Sequence, residues 1–357
     1  MAKAKSKAVK TAASPHRIAE LDRELVRLVQ ERARLALEAG AAAASVGIDD
    51  ASLQRMTADC QGPLPPQYVR AVLRELESGC RQLTRQLRVA YLGPTYSFSH
   101  LAAMQCFGQG VELVPVGTIA AVFEEIHRKQ SDFGLVPIEN STDGRVTDTL
   151  EMLARMRVRI CGELELRIHH TLLGKCRRSE VREVYSKPQA LSQCRNWLAK
   201  HLPTARTIEV TSTSTAAQLA AEKPGAAAIA SLQAGQHFGL DVLAEMIEDN
   251  PANTTRFAVI GDHPSTRTGN DHTAMLFQVD HRPGALADAM TVFKRNKLNL
   301  TWIESFPIPG PVRGYLFFVE MEGHESDAPL RRAVAALGKK TLRLEVLGSF
   351  PAAAPVE

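Results

Sequence analysis

The sequence predicts an α/β protein built in three parts, and three observations carry that prediction. Residues 17–85 place apolar side chains at helical spacing and contain no strand-like run. Residues 88–261 alternate short strand-like runs with helical stretches, which is typical of open α/β layers. Residues 273–346 follow the order strand, helix, strand, strand, helix, strand, which predicts a small sheet covered by two helices in a split βαβ arrangement.

The N-terminal part is predicted to be helical throughout. A short second helix is expected near residues 52–56, a turn at 62–66, and a third helix over residues 68–83. The first helix should end at Gly40, because glycine terminates helices readily. It is apolar along one stripe only, so that stripe must pack against the rest of the chain or against a second copy. The residues that repeat at helical spacing are Ile18, Leu21, Leu25, Leu28, Val29, Arg32 and Leu35.

The central part predicts two lobes with a cleft between them, because it contains two runs of alternating strands and helices. Its first helix should begin near Ser97 or Ser99, and Thr118 is a suitable N-cap for the next one. Strands are expected at residues 89–92, 111–116, 133–138, 181–185, 208–210 and 226–230. A polar linker over residues 262–271 then leads into the C-terminal part, with strands at 273–279, 300–306, 315–321 and 342–346 and helices at 284–296 and 328–337.

Composition narrows the class of protein. The 357 residues are 45% hydrophobic and 23% charged, and the net charge of +4 is too small to indicate a nucleic-acid partner. Six cysteines are scattered without a CxxC pair, which favours a reducing, cytoplasmic compartment and no structural metal. Residues 1–15 are basic and predict a disordered tail, and the apolar runs are too short for a signal peptide or a membrane span.

Three stretches place hydroxyls and amides where a strand meets a helix, namely residues 95–99, 139–142 and 212–215. Ligands of open α/β sheets bind at the carboxyl ends of strands, and helix N-termini there suit a carboxylate. Each stretch alone is more often a simple helix cap, but three together favour a site for a small anion. Two interpretations of Arg256 are open. Its guanidinium forms a bidentate hydrogen bond with a carboxylate, or it is an edge-strand arginine in solvent. His169 and His170 are predicted to point to opposite faces of a strand, so they make a poor metal pair.

Residues 88–350 resemble prephenate dehydratase followed by its regulatory ACT domain. The resemblance rests on motifs in the family's order: 91–94 with 97–99, 134–141 with Gly144 and Val146, 188–194, and the catalytic signature Thr255-Arg256-Phe257. It extends into the C-terminal part through 284–286, 299–301 and 303–305, which are similar to the ACT effector motifs. The implied domains are a dehydratase domain over 88–263 and an ACT domain over 271–350.

The resemblance implies a fold, a reaction and a set of site residues. The catalytic domain should have two lobes of the periplasmic-binding-protein type, and the ACT domain should be ferredoxin-like. Prephenate should bind in the cleft and lose water and CO₂ to give phenylpyruvate, with no cofactor and no metal. Thr255 is the implied acid and Arg256 the implied carboxylate ligand. Other implied substrate contacts are Ser99, Asn140, Ser141, Gln189, Thr213 and Phe257; those for a phenylalanine effector are Gly284, Ala285, Leu286, Glu304 and Ser305.

Residues 16–86 resemble the three-helix chorismate mutase domain that precedes this enzyme in many bacteria. Only Arg32 matches one of the cations that the mutase uses to hold its dicarboxylate substrate; the other cationic positions fall on residues such as Pro15 and on the alanine run 41–44. Because that mutase acts almost wholly by electrostatic positioning, we predict weak or absent mutase activity and a remaining role in dimerisation. The alternative is a fully bifunctional enzyme. A homodimer or homotetramer is expected, with no membrane or nucleic-acid partner.

Four positions depart from the family pattern. Tyr96 stands where glycine is usual and Lys187 where histidine is usual, which bears on substrate choice. Trp302 and Phe306 stand where the effector motif commonly has arginines. Two interpretations of Phe306 are open: it indicates that control by phenylalanine is lost, or it is an ordinary strand aromatic in a dimer interface. Two other functions remain open on this basis: a prephenate-processing paralogue such as a decarboxylase, and a non-catalytic amino-acid sensor.

Overall fold

The structure is a computed structural model that describes residues 15–39, 56, 62–307, 314–353 and 355–356. The expected short helix at 52–56, apart from Met56, lies outside these residues, as do most of the expected N-terminal tail and most of the turn at 307–314. The strands are β1 (Arg88–Leu92), β2 (Glu112–Val116), β3 (Phe133–Asn140), β4 (Gly144–Arg145), β5 (Arg159–Arg167), β6 (Thr171–Gly174), β7 (Glu183–Ser186), β8 (Arg206–Glu209), β9 (Ala226–Ala230), β10 (Asp241–Ala244), β11 (Thr254–Gly261), β12 (Asp271–Gln278), β13 (Leu300–Pro307), β14 (Tyr315–Glu322), β15 (Arg343–Pro351) and β16 (Pro355–Val356).

The helices follow the predicted order closely. They are α1 (Pro15–Ala39), α2 (Pro66–Thr84), α3 (Phe98–Phe107), α4 (Ile119–His127), α5 (Thr147–Arg155), α6 (Pro188–Gln193), α7 (Arg195–His201), α8 (Thr213–Glu222), α9 (Leu232–His237), α10 (Ala285–Arg295) and α11 (Ala328–Leu337), with a 3₁₀ turn at Arg178–Glu180. Local signals set several of these boundaries. Thr118 accepts a hydrogen bond from the N–H of Ala121 and so caps α4, as its position predicts.

The central part forms two lobes, each with its own sheet. The first sheet has the order β16-β5-β11-β3-β1-β2, with β4 on β3, and the second has the order β10-β6-β9-β7-β8. The chain passes from the first lobe to the second at residues 168–170 and returns at 245–253. These two crossings place the beginning of β11 at the junction of the lobes. His169 and His170 lie in the first crossing and not on a strand, which corrects the sequence-based expectation.

The C-terminal sheet is antiparallel, with the order β13-β14-β12-β15, and α10 and α11 cover it, as expected for an ACT domain. One apolar core joins this sheet to the first lobe, since Leu150 and Ile160 of the lobe share it with Phe318 and Phe350 of the sheet. Phe306 is buried in the same core. Its ring therefore packs within the chain, and the alternative of a dimer-interface aromatic is not supported.

The N-terminal helices contact the first lobe through α2. Ser78 and Arg74 donate hydrogen bonds of 2.8 Å each to the carbonyl oxygens of Phe107 and Gln105 at the end of α3. The first helix contributes little to this contact. Leu25 and Leu28 of α1 are 56% and 49% exposed, so the stripe predicted on this helix lies open within the described chain.

Candidate functional site

The three hydroxyl-rich stretches all reach the region between the lobes. Ser97 and Ser212 cap α3 and α8 by accepting hydrogen bonds from backbone N–H groups, as helix-cap residues do. The first and third stretches meet directly, because the hydroxyl of Ser214 donates to the carbonyl oxygen of Thr95 across the lobes at 2.8 Å. Both stretches therefore combine a capping role with a contact across the cleft.

The second stretch contacts Thr255, which begins the returning strand. The Nδ2 group of Asn140 donates a hydrogen bond to Thr255 Oγ1 at 2.8 Å. The orientation of this amide follows from its other end, where Oδ1 accepts from the backbone N–H groups of Thr142 and Asp143 at 2.9 and 3.0 Å. Backbone N–H groups only donate, so that atom is the oxygen and Nδ2 faces Thr255. The Thr255 oxygen therefore accepts from Asn140, which leaves the hydroxyl proton available for another acceptor.

Two further amides complete this cluster, and sequence reasoning assigned no role to either. Asn253 accepts from Asn140 Nδ2 at 3.1 Å and donates to Gln193 Oε1 at 3.0 Å. Gln193 ends α6 in the second lobe, and its Nε2 donates to Asp143 Oδ2 at 2.9 Å and Asn140 Oδ1 at 3.4 Å. The network therefore joins both lobes and the second crossing. The signal for Gln193 was present in the motif 188–194, but the predicted contact was assigned to Gln189, which is exposed at the start of the helix.

Ser141 secures the backbone beside Thr255. Its hydroxyl accepts from the N–H of Thr254 at 2.9 Å, and its own N–H donates to the carbonyl oxygen of Thr254 at 2.9 Å. This reciprocal pair holds the turn after β3 against the beginning of β11. Ser141 thus contributes to the site through its position, and its exposed side chain lies beside the Asn140–Thr255 pair.

Arg256 points away from Thr255, because neighbouring side chains of a strand alternate between faces. Its guanidinium forms ion pairs with Glu139 at 3.0 Å, Glu163 at 2.7 Å and Glu320 at 2.9 Å, and it lies 5.6 Å from the ring of Trp302. Glu320 and Trp302 belong to the C-terminal sheet. The guanidinium is thus occupied by protein carboxylates, which differs from its predicted role as a ligand of the substrate carboxylate.

The remaining predicted site residues differ in how far their side chains are exposed. Phe257 is 1% exposed within the apolar core of the first lobe, which places its ring among core side chains and not in the cleft. Ser99 and Thr213 are 8% and 7% exposed in the first turns of α3 and α8, near the Thr95–Ser214 contact. Arg32 is exposed on α1. The structure thus brings Asn140, Ser141 and Thr255 together, and places the other predicted residues outside that group.

Tyr96 adopts a left-handed backbone conformation with φ of 65°, which explains why glycine suits this position. Its ring stacks on His237 of the second lobe with a centroid distance of 4.2 Å and meets the edge of His100 at 5.4 Å. Its carbonyl oxygen also accepts from Ser231 at 3.1 Å. Tyr96 therefore belongs to the contact between the lobes.

A cavity of about 450 Å³ opens between the lobes beside the first crossing. Phe98 and Leu166 of the first lobe, Thr171 and Ser231 of the second, and His169 of the crossing are among the residues that line it. Neither Asn140 nor Thr255 lines this cavity. We therefore place the candidate chemistry at the amide and hydroxyl cluster, whose groups converge, and not in this cavity.

The predicted effector residues separate into two places. Ala285 and Leu286, which follow Gly284 at a positive φ of 82°, line a cavity of about 380 Å³ together with Tyr315 and Phe317. Glu304 lies elsewhere, on β13, where it pairs with Arg145 of the first lobe at 2.5 Å, and the Ser305 carbonyl oxygen accepts from the same guanidinium at 3.3 Å. Glu304 and Ser305 thus contact the catalytic part directly.

Within the described ranges, no group of three or more histidine, cysteine or acidic side chains is arranged to hold a metal ion. The five cysteines of these ranges are free thiols. Across the same residues, no helix combines the length and apolarity that crossing a bilayer requires.

These features define a two-lobed α/β protein with an amide and hydroxyl site at the lobe junction and a small sheet domain bound to its first lobe. The prephenate dehydratase family matches residues 89–265, and the chorismate mutase type II family matches residues 15–85. The bifunctional chorismate mutase/prephenate dehydratase of Neisseria gonorrhoeae is 38% identical over 350 residues, covering 95% of this chain and 97% of that protein. The chain belongs to the bifunctional chorismate mutase/prephenate dehydratase family.

Two solved structures share the fold over 74% of this chain. Prephenate dehydratase from Arthrobacter aurescens, in complex with L-Phe, matches with a TM-score of 0.70 and 32% identity, over 74% of this chain and 90% of that chain. GqqA, described as a novel type of quorum quenching acylase, matches with a TM-score of 0.67 and 30% identity, over 74% of this chain and 98% of that chain. The expectation of weak mutase activity is not confirmed by these comparisons and stays a prediction.

Proposed function

We propose that the chain converts prephenate to phenylpyruvate, with Thr255 as the proton donor. The hydrogen bond from Asn140 Nδ2 to Thr255 Oγ1 at 2.8 Å carries this proposal. Because the hydroxyl oxygen already accepts a bond, its proton is directed to a second acceptor, and accepting a bond makes a hydroxyl a stronger donor. Asn140 is thus the polarising neighbour that a threonine acid requires. Membership in the dehydratase family supports the choice of substrate.

The reaction needs one proton delivered to the leaving hydroxyl of the ring. The C–O bond at C4 breaks as that hydroxyl departs as water, the carboxylate on the ring leaves as CO₂, and its bonding electrons complete the aromatic ring. Thr255 supplies the proton and regains one from solvent. Asn140 remains in place throughout, since backbone N–H groups hold its other end. Removing such a donor from a preorganised site costs on the order of a hundredfold in rate.

The test is turnover of prephenate by purified protein, with a matched pair of variants. Thr255→Val keeps the shape of the side chain and removes the hydroxyl, so kcat should fall at least about a hundredfold. Thr255→Ser keeps the hydroxyl and should stay within about tenfold of the parent. Formation of phenylpyruvate is followed by its absorbance. Full activity of Thr255→Val would show that another group donates the proton.

The same sample separates the rival functions. A paralogue that decarboxylates without aromatisation would consume prephenate and yield a product without an aromatic signal. A sensor would bind prephenate in calorimetry without turnover. Since GqqA, which shares the fold, is described as a quorum quenching acylase, the sample is also assayed for acylase activity. Either of the first two outcomes, or acylase activity without dehydratase activity, would overturn the proposal.

For the N-terminal helices we infer a mutase fold with weak mutase activity and a role in pairing two chains. The loss of the expected cations supports weak mutase activity. Two other arginines of α1, Arg17 and Arg27, are paired with Glu20 and Glu31 on the same helix. The naming of the Neisseria gonorrhoeae relative favours the opposite outcome. Chorismate turnover measured on the same sample decides between them: a rate comparable with the prephenate rate would overturn weak activity.

We further propose L-phenylalanine as an effector that binds at the cavity beside Ala285 and Leu286, in a cytoplasmic homo-oligomer. The L-Phe complex of the Arthrobacter aurescens relative supports the effector. The open stripe on α1 supports the oligomer, and the free thiols support a reducing compartment. Inhibition of prephenate turnover by added L-phenylalanine is the direct measurement.

A further inference from the structure

His170 occupies an unusual place at the site. It lies in the first crossing between the lobes and is 2% exposed. Its Nε2 lies 2.9 Å from Gln193 Oε1, and its ring meets the edge of Phe98 at a centroid distance of 5.4 Å. Its Nδ1 is buried and has no hydrogen-bond partner among the described residues. A buried polar atom without a partner destabilises the folded protein, so a contribution to stability does not explain a histidine at this position.

The protonation of His170 follows from its neighbours. Asn253 Oδ1 accepts from Asn140 Nδ2, so the other amide atom of Asn253 is the nitrogen, and it donates to Gln193 Oε1 at 3.0 Å. Gln193 Oε1 is therefore an acceptor. The histidine atom that faces it must carry hydrogen, which makes Nε2 the donor and leaves Nδ1 bare. Burial also lowers the pKa of His170, in agreement with a neutral ring.

Hydrogen bonds with defined direction thus lead from His170 to the proposed acid. His170 donates to Gln193 Oε1, which fixes the amide so that Gln193 Nε2 faces Asp143 and Asn140. Asn140 in turn donates to Thr255. Without His170, Gln193 keeps only Asn253 as a donor that orients its amide, so its contacts with Asp143 and Asn140 are less firmly fixed.

We propose that His170 is a positioning residue for the dehydratase reaction, which acts by holding Gln193 and, through it, Asn140 and Thr255. The proposal rests on the function proposed above and adds a role for a residue that does not touch the reacting atoms. It requires a donor at the Nε2 position and not a titrating group. Among the described residues, the charged or titratable groups around the ring are Glu248, which accepts from the His170 backbone N–H at 2.9 Å, His169 and Asp143.

The test uses three substitutions with different donor positions. In His170→Gln the side-chain amide nitrogen falls where Nε2 lies, so the donor is kept. In His170→Asn the amide falls nearer the backbone, and in His170→Leu there is no donor. We expect His170→Gln to keep kcat within about threefold, and the Asn and Leu variants to lose about ten- to a hundredfold in kcat with a smaller change in KM.

Two readouts distinguish positioning from a general structural role. Thermal unfolding should be similar for the Gln and Asn variants, so a kcat difference between them at equal melting temperature supports the proposal. The pH profile of kcat should keep the parent's shape in His170→Gln, because the proposal uses the donor at the Nε2 position and no titration of the ring. Equal kcat in the Leu variant and the parent would overturn the proposal, as would equal losses in Gln and Leu. A parent protein inactive toward prephenate would instead overturn the proposed function.

Discussion

At the scale of single residues, the direction in which a side chain points decides its surroundings more than its amino-acid type does. Thr255 and Arg256 are adjacent, yet the first lies in the amide network at the lobe junction and the second in an ionic cluster shared with the C-terminal sheet. The alternation of side chains along β11 separates them. The signature therefore contains the proposed acid, a connection between domains and, in Phe257, a core side chain. These three roles explain why the motif is contiguous although only Thr255 lies with the proposed site.

Tyr96 offers a test of backbone strain at this scale. A non-glycine residue at positive φ costs about 1–2 kcal/mol, and its stack on His237 returns about 0.5–1.5 kcal/mol. We expect Tyr96→Phe and Tyr96→Gly to unfold near the parent's urea midpoint, and Tyr96→Ala to lose about 0.5–1.5 kcal/mol because it keeps the strain and loses the stack. Equal losses in the Gly and Ala variants would show that the positive φ is not costly here.

At the scale of elements, α1 leaves its apolar stripe exposed within the described chain. Its apolar stripe remains open because α2, which packs on the first lobe, covers little of it. A long amphipathic helix is stable in water when its apolar face is buried, so an unpartnered stripe indicates an interface.

A charge placed on this stripe should disrupt the assembly. Leu25→Glu should reduce the oligomer to a smaller species in sedimentation at micromolar concentration, because it buries a carboxylate against apolar side chains. Gln30→Glu is the control, since it adds the same charge to an exposed position about 140° around the helix. An unchanged sedimentation coefficient for Leu25→Glu would place the interface elsewhere.

At the scale of the whole molecule, two ionic contacts connect the C-terminal sheet to the site. Arg145, just after the turn that carries Asn140, pairs with Glu304, and Arg256, just after Thr255, pairs with Glu320. Each contact begins within the β13–β14 pair; one ends a few residues after Asn140 and the other at the residue that follows Thr255. Any displacement of that sheet relative to the first lobe would therefore act on both sides of the Asn140–Thr255 hydrogen bond. This arrangement suits a domain that binds an effector.

The ionic cluster around Arg256 predicts a dependence of stability on pH. Arg256→Leu leaves Glu139, Glu163 and Glu320 without their shared cation, and losing one partner of a buried ion pair costs about 3–5 kcal/mol. Burial raises the pKa of Glu163, with Glu320 adding to the effect and Arg256 opposing it. A carboxyl with a raised folded pKa stabilises the fold below its unfolded pKa and loses that contribution as pH rises past the folded value.

The Arg256→Leu variant should therefore melt well below the parent at pH 8 and closer to it at pH 5, because lowering the pH favours the protonated, uncharged form of Glu163. Thermal unfolding at the two pH values measures the difference, and Arg256→Lys, which keeps a cation, should lose less at both. A loss that does not change with pH would indicate that packing against Trp302, and not charge, dominates at this position.

Local chemistry was enough to predict most elements, whereas the identity of the proposed acid came from the resemblance of Thr255-Arg256-Phe257 to the dehydratase signature. Caps such as Ser97 and Thr118, and the alternation of apolar runs, act over a few residues, so the printed order of amino acids contains them. The hydrogen-bond partners of Thr255 could not be predicted from local chemistry. Asn140 lies 115 residues away in the chain, and Gln193 reaches the cluster from the other lobe. Which amides meet, and which way Arg256 faces, depend on strand register and on how the lobes and the C-terminal sheet pack, and these long-range contacts exist only once the chain has folded.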